Sequence, residues 1–344
     1  MSVSVREVAA RAGVSVGTVS NVLNRRDAVR PATVERVERA IDELGYVPND
    51  AARQLRAGQS TTIALVVLDI GNPFFTDVAR GAEERAVESG YTLLLANSDD
   101  SVERESAHLD QFERQRVAGV LVVPTSSAQP RVSQLRAHGV PVVLVDRGTA
   151  DATLASVAVD DVEGGRLAAE HLLSQGRRQL VFVGGPEDLP QVQDRSAGAH
   201  SAVGAVEGAG ILHVPTAALT LDDGMSAGAE VRALVRAGRC DAVLAANDLL
   251  AIGVQQALLS GPDPVGIPRE VALVGYDDIS FAAAAVVPIT SVRQPRRVMG
   301  ATAVDLLLRE AGLAPAAARE HVVFQPELVV RASSTVPAPP DAPA

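Results

Sequence analysis

Asp69, Asn97, Asp146, Asn247, Asp248 and Asp277 each stand at or just past the end of a run of aliphatic residues. Short acids and amides accept from and donate to hydroxyls, so a group of them converging on one place suits a small polyhydroxylated molecule. Taken singly, each is as well explained as the N-cap of a helix that follows a strand. A second set has different chemistry. Val16, Gly17, Ser20, Asn21 and Asn24 lie on one side of a short helical stretch whose inward side is Val19, Val22 and Leu23. A small polar face of that kind meets a base-pair edge or a phosphate. Catalytic sets are missing by comparison. His108, His138, His171, His200, His213 and His321 are scattered without metal-ligand spacing, and neither GxGxxG after a strand nor GxxxxGK[ST] occurs. Gly184-Gly185-Pro186 is a weak glycine loop. These residue types argue against an enzyme and imply no cofactor.

The elements needed to hold the second set are legible between residues 4 and 24, SVREVAARAGVSVGTVSNVLN, as two helices joined by a tight turn at Ala12-Gly13-Val14. That geometry lays a helix in the major groove of DNA. Ser4 and Glu7 have the spacing of a capping box, Val5, Val8, Ala9 and Ala12 follow at helical spacing, and Ser15 caps the second helix. Val34, Val37, Ile41 and Leu44 stripe a third helix, which Gly45 ends as a left-handed cap. After the break Tyr46-Val47-Pro48-Asn49 comes a two-turn segment, residues 50–57, too short to be stable unless docked.

From Thr61 onward apolar strand-like runs alternate with helical stretches: IALVVL, YTLLLA, GVLVV and VPVVLV, then QLVFVG, DAVLAA and EVALVG. Such alternation predicts parallel sheets covered on both faces, and the two series predict two doubly wound subdomains. Ligands of such sheets bind beyond the carboxyl ends of the strands, where the acids and amides stand.

The blocks GVSVGTVSNVLN, GYVPN and AARQLRAG, followed by NPFF at 72–75, AANDLLAIG at 245–253, VGYDD at 274–278 and TSVRQP at 290–295, resemble the lactose-repressor (LacI/GalR) family of bacterial transcription regulators along essentially the whole chain. The resemblance implies an α-helical helix-turn-helix head (1–47), a hinge helix or linker (48–60) and an α/β body (61–344) of two doubly wound parallel-sheet subdomains similar to periplasmic sugar-binding proteins. Subdomain 1 is expected at about 61–160 and 293–320, subdomain 2 at about 161–292 and 321–335, and a disordered tail at 336–344. Leu55 occupies the place of the leucine that relatives wedge into the minor groove, at a cost of a few kcal/mol offset by bending. Ser15, Val16, Gly17 and Asn21 are the expected base readers and Ser4, Thr18, Ser20 and Asn24 the expected phosphate contacts. Arg30 precedes Pro31 where relatives have a hydroxyl cap, so that helix loses a cap and gains a phosphate contact. Val5, Asn49 and Ala52 complete the DNA-binding set. In the body, Asp146, Arg195, Asn247 and Asp277 match effector-binding positions, Gln294 lies on a crossing strand near the same cleft, and Asp69, Asn72 and Phe74 sit at its rim, with Phe74 or Phe75 able to stack on a sugar face. The chain departs from the pattern at Leu221-Asp222-Asp223-Gly224-Met225, which lacks the aromatic plate of many relatives. An amine-bearing effector facing Asp222 and Asp223 becomes conceivable.

Charge is divided as this scheme requires. The net charge is −11, but residues 1–60 carry nine Arg against seven acids, a net of +2 that leaves −13 on the remainder. DNA binding confined to the head is consistent with that division. Cys240 alone excludes an internal disulfide framework and reads as a buried small hydrophobe. No leader-like or membrane-length apolar run is present, which implies a cytoplasmic protein with no membrane partner. The expected partners are near-palindromic double-stranded operator DNA, a small-molecule effector, a sugar or related metabolite, and a second copy of the chain. A dimer rather than a tetramer follows from Val336-Pro-Ala-Pro-Pro, which cannot form a leucine heptad helix. The rival readings are a solute-binding protein for transport and a regulator with a non-sugar effector.

Overall fold

A computed structural model describes residues 3–46, 60–126, 130–149, 151–310 and 319–335. The chain divides into two units, 1–60 and 61–344.

In the first unit the local signals act as the sequence demands. Helix α1 (Val5–Ala12) opens with a complete capping box: the Glu7 amide donates to Ser4 Oγ at 3.4 Å and the Ser4 amide to Glu7 Oε2 at 2.7 Å. Gly13, at φ +64°, turns the chain into α2 (Val16–Asn24), which Ser15 caps by accepting from the Thr18 amide at 3.1 Å. A 3-10 turn, Arg26–Ala28, leads to α3 (Pro31–Leu44), which begins at Pro31 without a side-chain cap and ends on Gly45. Val8, Ala9, Ala12, Val19, Val22, Val34, Val37 and Ala40 close the core. Ala40 is buried in this core, while Ile41 and Leu44 of the expected stripe are only partly buried against it. The expected hinge and wedge, with Asn49, Ala52 and Leu55, and the tail 336–344 lie outside the described residues.

The second unit carries two six-stranded sheets. The first has the order β11-β5-β4-β3-β1-β2 and is parallel throughout. Its strands are β1 (Thr62–Val67), β2 (Thr92–Asn97), β3 (Gly119–Val122), β4 (Val142–Val145), β5 (Ala155–Val159) and β11 (His321–Phe324). The second, β12-β10-β9-β8-β6-β7, holds β6 (Gln179–Gly184), β7 (Gly210–Pro215), β8 (Ala242–Ala245), β9 (Ala272–Asp277), β10 (Thr290–Arg293) and β12 (Glu327–Val329). Its β10–β12 pair is antiparallel. Strands such as β3, β4, β5 and β9 are buried along their whole length because helices cover both faces.

The chain crosses between the sheets after β5, after β10 and between β11 and β12. The last crossing corrects the expected boundary at residue 321. His321–Phe324 pairs with β5 in register His321 with Ser156 and belongs to the first subdomain. The β5–β11 pairing, joined by the contact from Ser156 Oγ to His321 Nδ1 at 2.9 Å, holds the chain in that sheet for one more strand. Among the described residues no helix is long and apolar enough to cross a membrane.

Candidate ligand cleft and nucleic-acid interface

The carboxyl ends of the strands of both sheets open onto one cavity. Its wall includes Asp69 after β1, Asp146 after β4, Asn247 after β8, Asp277 at the end of β9, and Asn72 and Phe74 at the start of the helix Pro73–Glu88. Arg195 reaches it from the helix Pro190–Gly204 that follows β6. Seven of the eight residues expected at an effector thus share one surface, while Gln294 stands behind it and donates from Nε2 to Asp277 Oδ1 at 2.8 Å. The enclosed space amounts to about 50 Å³, well below the about 300–1,000 Å³ usual for small-molecule sites.

Arg195 organises the floor. Its Nε donates to Asp161 Oδ1 at 2.8 Å, its Nη1 to the Ala246 carbonyl at 2.8 Å, and Asp277 Oδ1 lies 3.8 Å from Nη1. The guanidinium carbon sits 3.8 Å over the ring of Tyr276, a cation–π contact in a desolvated setting. Tyr276 fits beneath because residue 164 is glycine: a Cβ there would fall 2.0 Å from the Tyr276 hydroxyl. Burial works against the Arg195 charge, but Asp161, Tyr276, Asp277 and Asp146 outweigh it and hold the group protonated.

The carboxylates respond in the opposite direction. Burial, followed by the charge of Asp161, lifts Asp146 well above the usual carboxylate range, with Arg195 opposing. Burial pushes Asp277 up to about 6 against the pull of Arg195 and the Gln294 hydrogen bond. Both residues hold positive φ, +56° at Asp146 and +100° at Asp277, so the backbone turns sharply where each side chain leaves its strand. Across the cleft, Gln191 Nε2 donates to the Asp146 carbonyl at 3.0 Å and to its Oδ2 at 3.3 Å, tying the two lobes together. Asp146 Oδ1 is buried with no hydrogen-bond partner in the protein. An unpaired buried acceptor costs free energy unless a ligand or water supplies the donor.

Several strand-end residues serve the fold. Asn247 caps the helix Asp248–Leu259 by accepting from the Leu250 amide and gives Nδ2 to the Leu219 carbonyl, so both ends of its amide already have protein partners. Asp248 accepts from Ser291 Oγ at 2.7 Å and from the Ile279 amide at 2.8 Å, away from the cavity wall. Asn97 accepts from the Ile70 amide and fixes the loop after β1. Asp222 and Asp223 do not face the ligand space. Thr220 and Asp223 cap the helix Leu221–Arg236 by pairing with each other. Phe74 and Phe75 meet edge to face at 5.0 Å and form an apolar wall, both largely buried. Sequence reasoning missed Asp100, Gln191 and Asp161. Asp100 follows the turn after β2 at φ +52°, Gln191 opens a helix with no cap signal, and Asp161 stands beside a stronger N-cap, Asp160, so none carries a strand-end signature. Cys240 is buried, and desolvation pushes its thiol up to about 12, as suits a packed apolar residue.

The head presents α2 with Val16, Gly17 and Asn21 exposed and Val19 and Val22 buried. Ser15 and Thr18 share a hydroxyl contact at 2.9 Å in addition to the cap, so both hydroxyls are engaged at the helix start. Arg30 stands at the N-cap of α3 with its side chain free of capping duty. Val5 is half-buried against the core, which makes it a packing residue first, and Ser4 is held in the capping box.

A helix-turn-helix unit followed along the chain by a two-lobed body with a polar cleft at the strand ends defines the ligand-sensing, DNA-binding regulators. The head, residues 4–49, matches the model described as bacterial regulatory proteins, lacI family, and residues 63–312 match that of the periplasmic binding protein domain. The ribose operon repressor of Escherichia coli (strain K12) is 32% identical over 96% of this chain and 99% of its own length. Among solved structures, the transcriptional regulator CelR–cellobiose complex is 33% identical with a TM-score of 0.70, covering 96% of this chain and 99% of that one. The Lac repressor dimer bound to operator and the anti-inducer ONPF has 26% identity and a TM-score of 0.83, covering 98% and 100%. The protein belongs to the lacI family of bacterial regulatory proteins.

Proposed function

We propose that the chain is an effector-controlled transcriptional repressor: a homodimer whose heads bind the half-sites of a near-palindromic operator and whose cleft binds a sugar or related small metabolite. The observation that carries this reading is the convergence of Asp69, Asn72, Asp146, Arg195 and Asp277 on one cavity in a chain that also has an exposed α2. The relatives are named as regulators, which gives no support to catalysis. A second copy finds apolar surface to cover at Leu94 and Leu95 on the edge strand β2 and at Phe281 and Val286. Protein two-fold symmetry then sets operator symmetry.

Val16 and Asn21 are the proposed base contacts, Val16 against a thymine methyl and Asn21 at a purine edge. Thr18, Ser20, Asn24 and Arg30 contact phosphates in this reading. The wedge role of Leu55 rests on the sequence. Replacing Leu55 by Ala is expected to weaken operator binding strongly while leaving ligand affinity unchanged, and unaltered operator affinity would remove the wedge from the scheme. The whole reading is tested by a thermal-shift screen of the purified protein against sugars, polyols, nucleosides and amines. A hit that loses its shift in Asp277→Ala, with the variant still folded, supports the cleft as the sensor. A hit that keeps its shift in that variant overturns it.

A further inference from the structure

The charge in the cleft is lopsided. Among the described residues, Asp69, Asp100, Asp146 and Asp277 line the wall with Arg195 as their one cationic companion there, and its Nε, Nη1 and ring-facing plane are engaged by Asp161, the Ala246 carbonyl and Tyr276. Arg147 lies off the wall, where the charges of Asp194 and Asp146 act on it and its Nη1 is buried without a hydrogen-bond partner in the protein. Among the described residues Asn72 Nδ2 and Arg195 Nη2 remain as donors, but the other side-chain donors on the wall are already engaged. Gln191 gives its Nε2 to Asp146, Asn247 its Nδ2 to the Leu219 carbonyl, and Thr220 its hydroxyl to Asp223. Acceptors remain: Asp146 Oδ1 is buried and unpaired, on a residue only 5% exposed that lines the cavity, and Asp69 and Asp100, which also line it, repel each other.

On that wall the carboxyl oxygens outnumber the donors left over. A neutral hydroxyl brings one donor and asks for one in return. An ammonium brings three donors and a positive charge and asks for none. An anion meets carboxyls that burial already keeps from ionising freely, whereas a cation draws the Asp146 carboxyl into its charged form. We propose that the effector is a cationic aminated sugar or polyol whose ammonium group is held by Asp146 Oδ1, with the Asp69–Asp100 pair adding to the field that selects it. The proposal deepens the effector reading above and rests on it. The amine meets Asp146, Asp69 and Asp100, and Asp222 and Asp223 take no part, because their side chains belong to the helix cap and the outer surface. Phe74 and Phe75 supply the apolar wall against which the carbon skeleton lies.

Matched ligand pairs test it on the full-length protein by calorimetry near neutral pH: D-glucosamine with D-glucose, D-galactosamine with D-galactose and D-mannosamine with D-mannose, with D-glucose 6-phosphate as the anionic control. In at least one pair the amine should bind at least about tenfold more tightly than its parent, equivalent to about 1.4 kcal/mol, and the phosphate should not bind. Asp146→Asn retains a side chain that tolerates the left-handed backbone at φ +56° and an oxygen able to accept from Gln191. It should bring the members of that pair to within about threefold of each other. Parent sugars that bind as tightly as their amines overturn the cationic effector while leaving the cleft a sugar sensor, as does an amine preference that survives Asp146→Asn. No response from any member, charged or neutral, overturns the cation proposal and the sugar-effector reading together.

Discussion

Under the proposed function, Asp277 is the residue where folding and ligand binding compete. Its carboxyl is buried among Arg195, Asp161, Gln294 and Arg296 and titrates at about 6, above an unfolded value of about 3.9. A carboxyl whose folded pKa is raised holds its proton more tightly in the folded state, so its contribution is favourable in acid and is lost as pH climbs through about 6. Asp277→Asn should therefore gain stability over the wild type above pH 6, by up to roughly 3 kcal/mol, and little near pH 4. Urea denaturation across that range checks it, and a stability difference that is constant with pH would show that the buried charge is not the cause. In the head, Asn21 is exposed on α2 and is the proposed purine-edge contact. Asn21→Ala should cost about 1–3 kcal/mol of specific operator binding and leave non-specific binding and its salt slope unaltered. An equal loss in both would make Asn21 a phosphate contact.

Elements hold these residues by close approach. The helix Asp161–Ser174 carries Gly164 against Tyr276, and Gly165, where a Cβ would lie 1.9 Å from the Arg195 carbonyl, against the helix Pro190–Gly204. Gly164→Ala forces the Tyr276 ring and the Arg195 guanidinium above it to move, so it should lower stability by about 1–3 kcal/mol and weaken the thermal response to the effector. A wild-type unfolding midpoint would show that the contact is slack. The strand-end pattern made much of this legible, since Asp69, Asp146 and Asp277 follow long aliphatic runs that read as buried strands. Strand β5 did not stand out, because Ala155, Ser156 and Ala158 have low β propensity and are strands only by virtue of neighbours on both sides. Strand β7 is an edge with His213 and Leu212 half open to solvent, and its apolar signal is correspondingly weak. The last crossing was misplaced for the same reason: β11 is short and its burial alternates. Gln191 was invisible because its role arises from opposition across the cleft, and Asp161 because it pairs with Arg195 on a neighbouring helix, neither of which spacing along the chain encodes.

At the scale of the whole molecule, the body is two sheets joined by crossings after β5, after β10 and between β11 and β12. Side chains tie the lobes where the chain crosses: Arg296, just after β10, bonds the carbonyls of Asp277 and Asp278 and pairs with Asp77 at 3.2 Å on the helix Pro73–Glu88. A ligand that binds one lobe arrangement more tightly than the other shifts the population by that difference and no more, and the sign of control follows from which arrangement suits DNA. The most direct test begins by selecting operator sequences from random duplex DNA with the purified full-length protein. Operator affinity is then measured by fluorescence anisotropy with and without the ligand identified by thermal shift. The account predicts a near-palindromic site and an affinity that changes by at least about tenfold on ligand addition, with the change abolished in Asp277→Ala while operator binding persists. Failure to enrich any symmetric site, or an operator affinity indifferent to the bound ligand, would contradict it.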